Sequence, residues 1–143
     1  MFFKADFRLT PAKRRANMRS IRSRGNKTTE LRLRALLVGS GIRGWKMHVS
    51  SLPGFPDFLF KVPRVSVFID GCFWHACPRC GHIPKTNRSY WQAKIARNKR
   101  RDRSVSRTLR ELGYQVIRIW ECELRTKPEK CLQRIRRAIE KSL

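Results

Sequence analysis

Acid is what this sequence has little of. Ten Asp and Glu stand against 34 Lys and Arg in 143 residues, for a formal net charge of +24. Self-repulsion of that size calls for a compensating polyanion. Phosphate contacts to DNA or RNA, with steep salt dependence, are the first expectation, ahead of a generally adhesive, ribosome-like basic protein. A membrane surface fits less well, because the basic residues are spread over several segments and not gathered on one amphipathic helix. No run approaches eighteen apolar residues, which excludes a membrane-spanning helix. The opening MFFKADF turns to charge too soon for a secretory leader, so the expected compartment is the cytoplasm. Internal repeats are absent. A hydrophobic share of 41% is nonetheless enough for one domain with a real core.

Two regions are expected. Residues 1–27 form a basic arm or loosely attached helix, in which RLTPAKRRANMRSIRSRGNK (8–27) offers Arg14, Arg15, Arg19, Arg22 and Arg24 to a phosphate backbone. Residues 28–143 form the single folded domain. A helix over 28–38 buries Leu33, Leu36 and Leu37 and ends at Gly39 and Gly41. Glu30 in its first turn suits the helix dipole, a purely structural reason for that acid. Short strands follow over 45–49 and 58–60, then a β-branched central strand over 65–69. A long helix over 89–112 has its apolar stripe interrupted by Asn98 and Asp102. YQVIRIW (114–120) is another core strand, and Thr126 with Glu129 has the spacing of a capping box before a last helix. The order implies an α/β fold, a mixed central sheet flanked by helices.

The chemistry concentrates in VFIDGCFWHACPRCGH (67–82). Cys72, Cys77 and Cys80 lie within nine residues, and an odd total of five cysteines in a reducing compartment argues against a disulfide framework. The CPRC turn suits two thiolates on one tetrahedral Zn²⁺, and Cys122, just past the strand ending at Trp120, is the expected fourth ligand. His82 competes for that place, and His75 less well. A Cys₄ site needs no open position and is structural; Cys131 reads as an ordinary buried thiol.

Asp57 opens one strand and Asp70 ends the next. If those strands pair, the two carboxylates converge on one hard cation such as Mg²⁺. In so basic a chain, converging acids are counterproductive unless they hold a metal, which favours phosphodiester hydrolysis over passive binding. His75 is placed to act as a base, or else is a zinc ligand or surface residue. Phe73 and Trp74 are adjacent and suit apolar wedges between base steps, with Trp91 a third wedge or a core residue.

GFPDF, VFIDGCFWHACPRCG, TNRSYWQAKIARNKRRD and ELGYQVIRIWECEL together closely resemble the very-short-patch repair (Vsr-type) DNA mismatch endonucleases, over about residues 14–125. The resemblance implies a restriction-endonuclease-like fold, a structural Zn²⁺ on Cys72, Cys77, Cys80 and Cys122, and Mg²⁺-dependent nicking of duplex DNA. In that family the cut falls 5′ to the T of a T:G mismatch, left when 5-methylcytosine deaminates. It implies Asp57 as metal ligand, His75 as general base, Glu30 as an active-site acid, and Phe73, Trp74 and Trp91 as wedges. Some members carry His at the place of Asp70, which leaves Asp70 either a second Mg²⁺ ligand or a partner that tunes His75. Where related nucleases have an acid-x-Lys pattern, Asp70-Gly71-Cys72 has no Lys, and His75 is the natural substitute. A monomer is expected, with repair-protein partners unspecified. The rival expectations are a zinc-stabilised DNA-binding module without catalysis and a same-fold nuclease with another DNA substrate.

Overall fold

The computed structural model describes residues 28–141. The basic arm, with Arg14, Arg15, Arg19, Arg22 and Arg24, lies outside the described residues.

Helix α1 (28–39) carries Leu33 and Leu37 on one face, both fully buried. It closes as the glycines lead one to expect. Gly41 takes φ +72°, its amide donates to Val38 O (3.1 Å), and the Ile42 amide reaches back to Leu37 O (3.0 Å), the double bond of a Schellman turn. Strands β1 (Trp45–Met47), β2 (Phe58–Phe60) and β3 (Val65–Asp70) form an antiparallel meander, with Phe58 opposite Val67. Helix α2 (Arg88–Glu111) then crosses over to β4 (Gln115–Trp120), which lies parallel to β3 with Asp70 opposite Trp120. The mixed sheet therefore runs β1-β2-β3-β4.

Alternation along β3 divides the molecule into layers. Val65, Val67 and Ile69 join Leu33, Leu37, Phe58, Phe60, Ile117, Ile119, Leu132 and Ile135 in one buried cluster. The other face of the sheet meets α2: Phe68 lies beneath the Arg118 guanidinium, 4.4 Å from its ring centre, and that guanidinium bonds Ser106 Oγ at 3.0 Å. All six β3 residues are buried, as befits a central strand covered on both sides.

The chain end differs from expectation. A short helix α3 (Glu121–Thr126) precedes α4 (Pro128–Lys141). Thr126 does not cap α4: its hydroxyl donates to Cys122 O at 2.7 Å within α3. Instead Glu123 Oε1 accepts the Trp120 amide (3.2 Å) at the start of α3. Seating Cys122 in that first turn buries its thiol beneath the sheet end.

Candidate active site and thiol cluster

Four of the ten acids, Glu30, Asp57, Asp70 and Asp102, gather at the end of the sheet with two of the three histidines. The register accounts for this. Phe58 pairs with Val67, so Asp57 lies alongside Phe68 and its Oδ2 accepts the Ile69 amide at 2.7 Å. Glu30, on α1, hydrogen-bonds the Asp57 carboxyl and is itself only 6% exposed. Its Oε2 is 3.0 Å from His48 Nε2. Burial, then the hydrogen bond and charge of Glu30, push Asp57 up to about 7, against the lowering effect of the Ile69 amide and His48. Two acids so confined form an oxygen donor set of the kind that suits a small hard cation.

A second constellation adjoins it. Asp70 Oδ1 meets Arg118 Nη1 at 2.9 Å and lies 3.9 Å from His75 Nδ1. His75 Nδ1 is also hydrogen-bonded to Asp102 Oδ2, and Arg118 further donates to the Asp102 carbonyl at 3.2 Å. Burial raises the Asp70 carboxyl, and Asp102 adds to this, although His75 and Arg118 oppose it. Burial raises Asp102 too, but its hydrogen bond to His75 and the charges of His75, Arg118 and Arg101 outweigh that, and its carboxyl stays below the usual range. An ionised Asp102 can only accept, so His75 Nδ1 donates and Nε2 is the nitrogen left to take a proton.

The interruption of the α2 stripe now has a cause. Asn98 Nδ2 donates to the carbonyl of Trp74 at 3.1 Å, and Asp102, one turn on, grips His75. Sequence reasoning assigned neither a role, and it passed over Arg118 and His48. The signal for Asn98 and Asp102 was polarity on an apolar face. For Arg118 it was a charged residue inside a core strand. His48 gave none.

Phe73, Trp74 and Trp91 form a half-buried, edge-to-face cluster, with ring centres 5.0 Å (Phe73–Trp74), 5.5 Å (Phe73–Trp91) and 6.0 Å (Trp74–Trp91) apart. Lys94 Nζ lies 5.8 Å from the centre of the Trp74 ring. Trp91 belongs to this surface cluster and not to the main core.

The sulfur atoms of Cys72, Cys77, Cys80 and Cys122 all lie within 4.8 Å of one another, and Cys77 and Cys122 are 3.7 Å apart. Tetrahedral thiolates at Zn–S distances of ~2.3 Å sit about 3.8 Å from each other, so the four thiols fit Zn²⁺. None is in a disulfide, and His82 is not part of the group. Burial disfavours the Cys77 thiolate, yet the amides of Cys80 and Arg79 and the thiols of Cys122 and Cys80 bring it down to about 7. The knuckle requires Gly81: a Cβ there would stand 2.7 Å from the carbonyls of Cys72 and Cys77. Arg79 ties the turn to Glu123 at 3.7 Å. Cys131 lies buried in the main core, away from the cluster, as an ordinary thiol.

The chain matches known proteins in sequence. Residues 6–80 match the family described as DNA mismatch endonuclease Vsr. The chain is 41% identical to the DNA mismatch endonuclease Vsr of Escherichia coli K12 over 116 residues, 80% of this chain and 72% of that one. It is 40% identical to the type II nicking enzyme V.XorIIP of Xanthomonas oryzae over 119 residues, 82% of this chain and 85% of the other. With the type II nicking enzyme V.NaeI of Lentzea aerocolonigenes it shares 43% over 116 residues, 78% and 69% of the two chains. With the residues of the CFWH and WEC blocks assembled around one sheet end, the chain belongs to the Vsr family of DNA mismatch endonucleases.

Proposed function

We propose that this DNA endonuclease nicks duplex DNA on the 5′ side of the T in a T:G mismatch, by Mg²⁺-assisted hydrolysis of one phosphodiester. The observation that carries the chemistry is the adjacency of two acidic groups with different tasks. Glu30 and Asp57 form a buried oxygen pair held on the Ile69 amide, one residue before Asp70, while Asp102 orients His75 on the Asp70 side. Bound Mg²⁺ supplies charge neutralisation at the scissile phosphate and a more acidic water. Asp57 holds its place through the Ile69 amide. His75 takes the proton of the attacking water on Nε2, and Asp102 stabilises the imidazolium that results. Asp70, paired with Arg118 and 3.9 Å from His75 Nδ1, serves this proton chemistry by tuning His75.

Zn²⁺ on Cys72, Cys77, Cys80 and Cys122 is structural. It fixes the loop on which Phe73, Trp74 and His75 stand. The aromatic cluster is the wedge that enters the duplex, with Lys94 beside it to meet phosphate. The basic arm, through Arg14, Arg15, Arg19, Arg22 and Arg24, adds phosphate contacts, and residues 28–143 form the single endonuclease domain, acting as a monomer in the bacterial cytoplasm. The names of the type II nicking relatives favour a second reading of specificity, in which the chain nicks at a defined sequence context. A strand-nicking assay with Asp57→Ala tests the catalytic assignment. Loss of Mg²⁺-dependent cutting is expected, and full cutting by the variant removes Asp57 from the mechanism.

A further inference from the structure

The connection between β1 and β2 holds a residue with an unusual backbone and a polar grip on the acid pair. His48 follows β1 directly and adopts φ +54°. Left-handed backbone is uncommon outside glycine and is retained where the surroundings impose it, often beside functional sites. Here the imposition is visible. The His48 amide donates to the Asp57 carbonyl at 3.2 Å, and Val49 donates to Pro56 O at 3.3 Å, so the pairing continues past the strand ends. This swings the imidazole to Glu30, with Nε2 3.0 Å from Oε2.

Burial does not explain the arrangement, because the His48 side chain is 64% exposed whereas that of Glu30 is 8% exposed. An exposed His on a carboxylate also stabilises the fold little. The two contacts share a target: one sets the main chain of Asp57, the other the carboxylate that hydrogen-bonds Asp57.

We propose that His48 is a positioning residue that orients the Glu30 carboxylate, so that Glu30 and Asp57 present their oxygens together to a divalent cation. The proposal rests on the Mg²⁺-dependent nuclease reading above. A partner that orients a metal-binding group costs about 10–100-fold in metal affinity or activity when removed.

Two variants separate positioning from structure. His48→Gly removes the imidazole and relieves the left-handed backbone, so the melting temperature of the magnesium-free protein should hold or rise. The Mg²⁺ concentration giving half of the calorimetric binding signal should increase about 10-fold or more. Single-turnover nicking should slow by a similar factor, while the affinity for duplex DNA without Mg²⁺ stays within about 3-fold. His48→Gln keeps a side-chain donor for Glu30 and should recover most of both losses. Wild-type Mg²⁺ affinity and rate in His48→Gly overturn the proposal and leave the nuclease reading standing. So does a loss confined to DNA affinity. Absence of Mg²⁺-dependent nicking by the unmodified protein removes both.

Discussion

Replacing Asp57 by Asn should make the metal-free protein more stable and inactive at once. The carboxyl is pushed from an ordinary 3.8 up to about 7, chiefly by burial and by Glu30. Below pH 3.8 it is protonated in both folded and unfolded chains and contributes nothing. Between 3.8 and about 7 the unfolded chain releases a proton that the folded one keeps, so stability declines as pH rises. Above about 7 the penalty is complete, with a ceiling of about 4 kcal/mol at 1.36 kcal/mol per pH unit. Asn retains an oxygen for the Ile69 amide and offers an N–H to Glu30, but Glu30 stays buried. About half of the ceiling, ~2 kcal/mol, should be recovered at pH 8, which raises the melting temperature by roughly 6–8 °C. At pH 5 the gain should shrink to about a third of that, because pH 5 lies only about a third of the way from 3.8 to about 7. The assay is thermal unfolding of both proteins in magnesium-free buffer at the two pH values, without a chelator that would strip the thiolate cluster. An equal gain at both pH values, or a loss at pH 8, refutes the buried-pair reasoning.

Asp102→Asn should slow single-turnover nicking by about 10²-fold or more at pH 7.5 while leaving DNA affinity intact, since it removes the charge that orients His75 and stabilises its protonated form; an unchanged rate contradicts that role. Cys122→Ser should lower bound zinc, measured by atomic absorption, and drop the melting temperature by roughly 10 °C or more, whereas Cys131→Ser should keep one zinc per chain. Trp74→Ala should cost about 1–3 kcal/mol in binding to mismatched duplex and much less on matched duplex, read by fluorescence titration in both.

Much of this fold was legible because periodicity reports burial. The VSVFI run announced a strand covered on both faces, and Gly41 marked the end of α1. Helix α3 was not, since six residues give too little pattern and the Thr126–Glu129 spacing imitated a cap that the chain does not form. The thiol cluster was readable from local spacing plus one parallel strand pair that brings Cys122 to Cys72. Asp102 and Arg118 escaped assignment because their partners lie 27 and 48 positions away, distances that only the α2 crossover closes. Polar residues on an apolar face were visible, but what they hold was not. His48 depended on a left-handed turn, which histidine adopts more readily than most residues but which no neighbouring turn signal announced.

The central claim is that this site cuts beside a T:G mispair. Its most direct measurement is single-turnover nicking, with Mg²⁺, of two end-labelled duplexes that differ only in one T:G or T:A pair. A mispaired step is cheaper to open by a few kcal/mol, so the T:G duplex should be cut roughly 100-fold faster, on the 5′ side of the thymine. Equal cutting of the two duplexes contradicts the mismatch reading.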